Sequence, residues 1–294
     1  MSGFAVVIVA YRSLPDLPRC LGSLSDPNQP GLEDIAVVIN PPDDGAYDYI
    51  RQHFPQVKVV LAEKNLGFAH GNNAGAALFP EAEFYFFLNP DAAVPSLLFP
   101  TLRDFFATHP NAAIVGLKTR SPDGTLQLSA RNFTTPLDLF RLRSLPLARL
   151  LGHDAEGKAL ARLEKLTEPE RVDWVAGLAL AIRGDVFRRL GGFDQGYFVF
   201  VEDMDLCWRA RQRGWECWFL PQPEVWHRWG GSVGRLGWRK ALVHLSALWR
   251  FFRRRYDLGG WLEKALFPYL WLSDLLAMRL TMPNVGWFTR RRNR

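Results

Sequence analysis

The chain has 294 residues, 48% apolar and 22% charged, with a formal net charge of +6. That is enough apolar material for one large domain or two small ones around a true core, and it excludes a disordered or fibrous chain. Three cysteines, Cys20, Cys207 and Cys217, have no metal-ligand spacing and an odd count, which excludes a disulfide scaffold and reads as reduced thiols in a cytosolic protein.

The N-terminus MSGFAVVIVAYRS lacks a basic n-region and a small-residue cleavage site, so it reads as a first strand, not a signal peptide. Residues 4–9 (FAVVIV) form a short β-branched run typical of a buried parallel strand. Residues 14–25 carry Leu17, Cys20, Leu21 and Leu24 at helical spacing. IAVVI (35–39) is a second strand, and NPPDDG (40–45) breaks the chain. A second helix carries Tyr49, Ile50 and Phe54. Further strands are expected at 57–62, 83–88 and 112–117, with helices between them near 68–79 and 96–108. Strand and helix alternate, which predicts a mostly parallel sheet with helices on both faces. In such sheets ligands bind beyond the carboxyl ends of the strands, so the turns at 10–13, 40–45, 62–75 and 88–92 are the ones that matter.

Beyond residue 118 the pattern changes. Residues 119–171 read as turns and charged amphipathic helix, with a mobile insertion near 140–170. Order returns at 172–194, where a strand enters a helix that stops at Gly191-Gly192. Glu202, Asp203 and Asp205 then sit in or just before the first turn of a helix ended by Gly214, where the macrodipole accommodates negative charge. WECWFL (215–220) is another strand, and 223–234 is a loop holding His227 between tryptophans and glycines. The end of the chain, 236–294, reads as a basic, Trp-rich helical extension. Its stretch 266–280 resembles an interfacial helix more than a spanning one, with a pair of helices closing the core as the alternative. No run of about 18 clean apolar residues is present.

Two turns carry candidate chemistry. Asn65-Leu-Gly67-Phe-Ala-His-Gly71-Asn72-Asn73-Ala-Gly75 offers amide groups and close backbone approach to a sugar, base or phosphate, though it is neither of the common phosphate-binding glycine motifs. Leu88-Asn89-Pro90-Asp91 puts a carboxylate at the tip of a buried strand. Asp91 there either caps the following helix or holds a divalent cation against a diphosphate.

Placed in this order, the motifs resemble those of the family 2 inverting glycosyltransferases, nearest to the rhamnosyltransferase-like branch that builds bacterial surface polysaccharides. The matching stretches are VVIVAYRS (6–13), Asn65-x-Gly67-x-x-x-Gly71-x-Asn73-x-Gly75, Leu88-Asn89-Pro90-Asp91, GGFD (191–194) with FVEDMDL (200–206), and His227-x-x-Gly230-Gly231-Ser232. Coverage runs from about residue 5 to about 255. Two departures stand out. Ile39 occupies the place of an aspartate that contacts the nucleotide base, and Ala10-Tyr11-Arg12 replaces Asn-Tyr-Asn.

The resemblance implies a GT-A (nucleotide-diphospho-sugar transferase) fold over 1–235, with a nucleotide-sugar-binding half (1–118) and an acceptor half (119–235), followed by the 236–294 extension. It implies a dTDP-, UDP- or GDP-sugar donor contacted by Ala10, Tyr11, Asn40, Asn65, Gly67, Gly71, Asn73 and Asn89. It implies Mn²⁺ or Mg²⁺ at Asp91 and His227, the histidine favouring Mn²⁺. Asp203 is the expected general base. Trp174, Gly177, Glu202 and Asp205 are expected at a glycan or lipid-linked acceptor, with core packing as the alternative for Trp174 and a structural cap for Asp205. His70 touches phosphate or lies on the surface, and Asp43 and Asp44 replace the missing aspartate or form a turn. The basic, aromatic end implies an enzyme on the inner face of the cytoplasmic membrane. No nucleic-acid module is present. The competing expectations are a non-catalytic nucleotide- or glycan-binding relative and a sugar-1-phosphate nucleotidylyltransferase. The latter needs a basic Gly-rich loop after the first strand, and AYRSLPDLP does not supply one.

Overall fold

The computed structural model describes residues 3–26, 34–133, 155–228 and 239–256. The chain divides into two compact units, the second of which holds only the last of these segments. The first unit contains the sheet and every candidate site residue.

Strands β1 (Phe4–Ala10), β2 (Ile35–Ile39), β3 (Lys58–Leu61) and β4 (Phe84–Leu88) pair in parallel in the order β3-β2-β1-β4. β2 and β4 are buried along their whole length, which is why their sequences are unbroken apolar runs. One face is covered by α1 (Leu17–Ser23), α2 (Ala46–His53) and α4 (Leu98–Thr108). Here Phe84 stacks between Phe4 and Phe106, and Phe99 meets Phe4 and Phe86 edge-on. On the opposite face Tyr85 and Phe87 pack on Phe187 of α6 (Gly184–Arg189), and α3 (Gly67–Ala76) lies close to the backbone. A Cβ on Gly71 would stand 2.9 Å from Val9 Cγ1, and one on Gly75 would stand 2.4 Å from Val7 Cγ1. The repeated glycines of α3 are therefore the means by which a helix approaches a β-branched sheet.

Beyond β4 the sheet turns mixed. β11 (Ala179–Arg183) is antiparallel to both β4 and β6 (Ala112–Arg120). β12 (Glu216–His227) then runs parallel to β6 and pairs antiparallel with β5 (Ala92–Ala93) at its far end. A hairpin adds β7 (Leu126–Gln127) to β6, and β9 (Glu170–Val172) lines the other edge of β12. β8 (Ala130–Arg131) and β10 (Trp174–Val175) form a separate two-stranded ribbon.

Two expectations are corrected. Residues 223–227 are not loop: β12 continues through Pro221 and Pro223 because a register shift between Leu220 and Val225 absorbs both prolines. Nor is the stretch from 155 to 170 a mobile insertion. Its helix α5 (Ala155–Lys165) is tied down by Lys118 and Arg120 of β6, which bind Glu164 and, on the other side, Glu224 of β12. Lys118 is 4% exposed, so its ammonium depends on these partners and on the Glu164 carbonyl. The part of the expected insertion at 140–154 lies outside the described residues. So does 257–294, with its expected interfacial stretch.

The second unit shows α8 (Arg239–Tyr256), whose last turn holds Arg253, Arg254 and Arg255, where cations suit the helix dipole. Among the described residues no helix is long and apolar enough to cross a membrane. All three cysteines are free and buried.

Candidate active site

The carboxyl end of β4 leads into Asn89-Pro90-Asp91, and the pairing of β5 with β12 sets His227 opposite Ala92. Arg228 N donates to the Asp91 carbonyl at 2.9 Å, fixing the two backbones side by side. The His227 Nε2 consequently lies 3.1 Å from Asp91 Oδ1 and 3.1 Å from Asn89 Nδ2. Both side chains of the His227–Asp91 pair are less than a tenth exposed. The sequence separation of Asp91 and His227 is bridged by a strand pairing, so the structure brings together the two residues expected to hold a metal.

The donor chemistry of this pair fits a cation. Gln127 Nε2 donates to the His227 carbonyl at 2.7 Å and to Ser121 Oγ at 2.7 Å. Its Oε1 faces His227 Nδ1 at 2.8 Å, so Nδ1 carries the hydrogen that the amide oxygen accepts. With that hydrogen on Nδ1, Nε2 and Asp91 Oδ1 stand 3.1 Å apart and share one positive charge, either a proton on the ring or a cation held by both. Among the described residues no third histidine, cysteine or carboxylate completes a ligand cluster. Two protein ligands match an ion that takes most of its oxygen donors from substrate phosphates and water.

The second cluster stands at the start of α7 (Glu202–Arg211), with Glu202, Asp203 and Asp205 in its first turn. Phe200 and Val201, just before it, have φ of 71° and 69°. Left-handed backbone at two consecutive bulky residues, one β-branched, is strained, and it aims the first turn of the helix. Asp203 accepts from Gly177 N at 2.8 Å and from Met204 N at 2.7 Å. Burial pushes the Asp203 carboxyl up, while these N–H groups and the Arg131 guanidinium draw it back down. Glu202 is 5% exposed, and its Oε2 is buried without a hydrogen-bond partner. Burial first, then the neighbouring Asp203 charge, pushes it well above the ordinary carboxylate range. Both adjacent carboxyls are thus raised, Glu202 further than Asp203, whose N–H and guanidinium neighbours offset part of the burial.

Asp205 is fully buried. It accepts from Arg209 Nε at 2.7 Å and from Tyr197 Oη at 3.3 Å. Arg209 extends the knot to the Leu190 and Gly192 carbonyls. Of the two expectations for Asp205, these contacts describe the structural one.

Trp174 lies half-buried on the β8–β10 ribbon, opposite Arg131, whose guanidinium sits 5.9 Å from the indole centre. The ribbon is anchored by Asp173, which accepts from Phe133 N at 2.8 Å and pairs with Arg211 of α7. Gly177 faces Asp203 and Phe68: an added Cβ would meet their atoms at 3.4 and 3.2 Å. The structure therefore gathers Trp174, Gly177, Arg131, Glu202 and Asp203.

The residues expected at the donor are arranged differently. Asn73 Nδ2 donates to the Phe193 carbonyl at 2.8 Å, and its Oδ1 accepts from Phe193 N at 2.9 Å. It clamps α3 to the GGFD turn. Asn65 Oδ1 accepts from Gly67 N, and Asn40 Oδ1 from Leu66 N. Gly67, with φ of 71°, abuts Phe198, and Gly71 packs on Val9. The side chains of this motif are thus engaged in architecture, which leaves Ala10, Tyr11 and Asn89 at the strand ends. Arg12 lies with its guanidinium 5.7 Å from the Tyr11 ring centre. Asp43 Oδ1 accepts from Ala46 N and closes the turn into α2, whereas Asp44 Oδ2 accepts from Leu14 N and ties that turn to the segment after β1. Ile39 is 3% exposed and belongs to the core. His70 is half-buried on α3.

Sequence reasoning missed Gln127 and Arg131. The signal for both is the Asp123-Gly124 pair followed by Leu126-Gln127-Leu128-Ser129-Ala130, a turn dipeptide and a period of two, which together mark a hairpin.

A family model described as "Glycosyltransferase like family 2" matches residues 2–249. N-acetylglucosaminyl-diphospho-decaprenol L-rhamnosyltransferase of Mycobacterium tuberculosis is 29% identical over 286 residues, covering 93% of this chain and 90% of the relative. Rhamnosyltransferase WbbL of Escherichia coli K12 is 28% identical over 202 residues, covering 66% and 73%. Among solved structures, mannosyltransferase PcManGT from Pyrobaculum calidifontis, in complex with GDP-Man and Mn²⁺, superposes with a TM-score of 0.53 at 16% identity, covering 96% of this chain and 76% of that one.

Proposed function

This chain belongs to the glycosyltransferase-like family 2, and from that premise we propose that it transfers a deoxyhexose, rhamnose in the first instance, from a nucleoside-diphosphate donor to a hydroxyl of a lipid-linked glycan, with inversion. That it is a glycosyltransferase follows from the family and from its rhamnosyltransferase relatives. The observation that carries the finer reading is the apposition of His227 Nε2 and Asp91 Oδ1 at the carboxyl end of the sheet.

In this reading Asp91 and His227 would hold Mn²⁺ or Mg²⁺, and the ion would supply positive charge for the diphosphate. Asp203, oriented by Gly177 N and Met204 N, takes the proton of the acceptor hydroxyl. The acceptor oxygen bonds to the anomeric carbon on the side opposite the diphosphate, which departs with the electron pair. Protonated Glu202 donates a hydrogen bond to the acceptor. Trp174 presents an aromatic face to a sugar ring, and Tyr11 a stacking face to the base. Asn73 joins the two halves of the site and Asp205 braces the second half, and neither touches substrate. The relative named for a decaprenol diphosphate sugar supports an acceptor built on a polyprenol diphosphate. It also supports action on the inner face of the cytoplasmic membrane in cell-surface polysaccharide synthesis.

Calorimetric titration of UDP, dTDP and GDP, each with and without Mn²⁺, into wild type and Asp91→Ala tests the reading. One nucleotide binding only with Mn²⁺, and losing that dependence in the variant, is the expected result. Equal binding with and without the metal would remove the metal from the mechanism.

A further inference from the structure

Gln127 is 4% exposed, lies on neither the Asp91 turn nor α7, and touches no group that reacts. Yet every polar atom of its side chain is engaged, and two of its three hydrogen bonds go to one residue, His227. The orientation of the amide is forced. The His227 carbonyl can only accept, so the group 2.7 Å from it is the NH₂. The oxygen then faces Nδ1, and a ring nitrogen 2.8 Å from an amide oxygen must donate. Asn89 Nδ2 lies 3.1 Å from Nε2, the opposite nitrogen. Gln127 itself is held from behind by Ser121 Oγ and by its place in β7, where it pairs with Thr119 of β6.

We infer that Gln127 is a positioning residue for cation binding: it locks His227 in the Nδ1–H tautomer and so turns the Nε2 lone pair onto Asp91. The inference rests on the reading of Asp91 and His227 as metal ligands. A histidine side chain free in water prefers the proton on Nε2, the nitrogen that a ligand must keep bare. A neighbour that accepts from Nδ1–H reverses that preference before any cation arrives and raises the basicity of the coordinating nitrogen. Loss of such a partner typically costs about 10–100-fold in metal affinity. A neutral amide is a milder partner than a carboxylate, so the site is tuned to bind its cation reversibly along with a diphosphate that comes and goes.

The test uses the full chain at pH 8 and two readouts. Long-range ¹H–¹⁵N spectra of histidine-labelled protein, with His227 assigned by its loss in His227→Ala, report which ring nitrogen carries hydrogen in wild type without metal. Water-proton relaxation enhancement then gives the affinity for Mn²⁺ alone in wild type, Asp91→Ala, Gln127→Met and Ser121→Ala. The expected result is hydrogen on Nδ1 in wild type, a change of tautomer in Gln127→Met, and an affinity at least 10-fold weaker in that variant. Ser121→Ala, which removes a bond to the same amide but none to the ring, stays within about 3-fold of wild type. Hydrogen on Nε2 in wild type overturns the inference without any variant. So does unchanged Mn²⁺ affinity in Gln127→Met while Asp91→Ala loses it, and in that case the metal reading survives. If wild type binds no Mn²⁺, the metal reading and the inference fall together.

Discussion

At the scale of single residues the adjacent carboxyls Glu202 and Asp203 show how one helix start supplies two chemistries. Both are pushed upward by burial, but Asp203 has several backbone N–H groups and a guanidinium to offset it where Glu202 has its own N–H alone. Glu202, with a buried and unpartnered oxygen, is the group whose charge the fold opposes. Its effect on stability has a definite sign. An unfolded glutamate titrates near 4.3. With the folded value raised, the native state binds more protons over the window above that, so stability is lost as pH rises from about 4 through the folded value. Gln cannot titrate and keeps the same shape. Glu202→Gln is therefore expected to match wild type near pH 4 and to gain steadily above it, on the order of a few degrees in Tm by pH 8. Thermal unfolding across that range checks it, and a constant difference at all pH values would mean that Glu202 is charged in the fold. The same variant keeps a hydrogen-bond donor toward the acceptor, so its activity separates donation from proton transfer.

At the scale of elements the site is held by turns and close approaches more than by ion pairs. Gly67 opens α3 with φ of 71°, and a Cβ there would stand 2.2 Å from the Phe198 carbonyl, which itself accepts from Phe68 N at 2.7 Å. That contact joins the Asn65–Gly75 turn to the strained segment that aims Asp203. Gly67→Ala has to strain a left-handed residue, at about 1–2 kcal/mol, and has to move the Phe198 carbonyl. Gly71→Ala meets only Val9, at 2.9 Å, an overpacking cost of about 1–3 kcal/mol. Similar losses in urea melts are expected from the two, but a fall in kcat of about 10-fold or more only from Gly67→Ala, because only it displaces the segment leading to the base. Equal kcat values would separate the 198–203 segment from catalysis. The motif was legible as a motif, but not its use: Asn73 and the glycines look like ligand contacts in sequence because a polar side chain and a missing Cβ serve binding and packing alike. Strands β1, β2, β4 and β6 were legible because central parallel strands are buried on both faces. The continuation of β12 was not, since two prolines in a row of six residues ordinarily end a strand. The joining of Asp91 to His227 depends on that continuation. No local pattern shows it.

At the scale of the whole molecule the candidate site residues lie in the first unit, and the second holds the basic helix α8. A substrate fixed to a polyprenol diphosphate stays in the membrane, so an enzyme acting on it gains by residing at the surface. Arg253–Arg255 and the later run Arg290–Arg292 supply charge that a surface of anionic headgroups attracts, and the tryptophans between them have the amphipathic rings that settle at that depth. Removing residues 257–294 takes away the second arginine run and the apolar 266–280 stretch while leaving the site residues in place. Each arginine near such a surface contributes about 1 kcal/mol, so the loss of Arg290–Arg292 alone is expected to weaken sedimentation with phosphatidylglycerol vesicles by about 100-fold. Binding of the full chain should fall with added salt in proportion to its electrostatic part. Transfer to a water-soluble acceptor should persist in the shortened chain. If that chain still sediments as the full one does, the surface lies elsewhere, and the basic end serves the fold instead of the membrane.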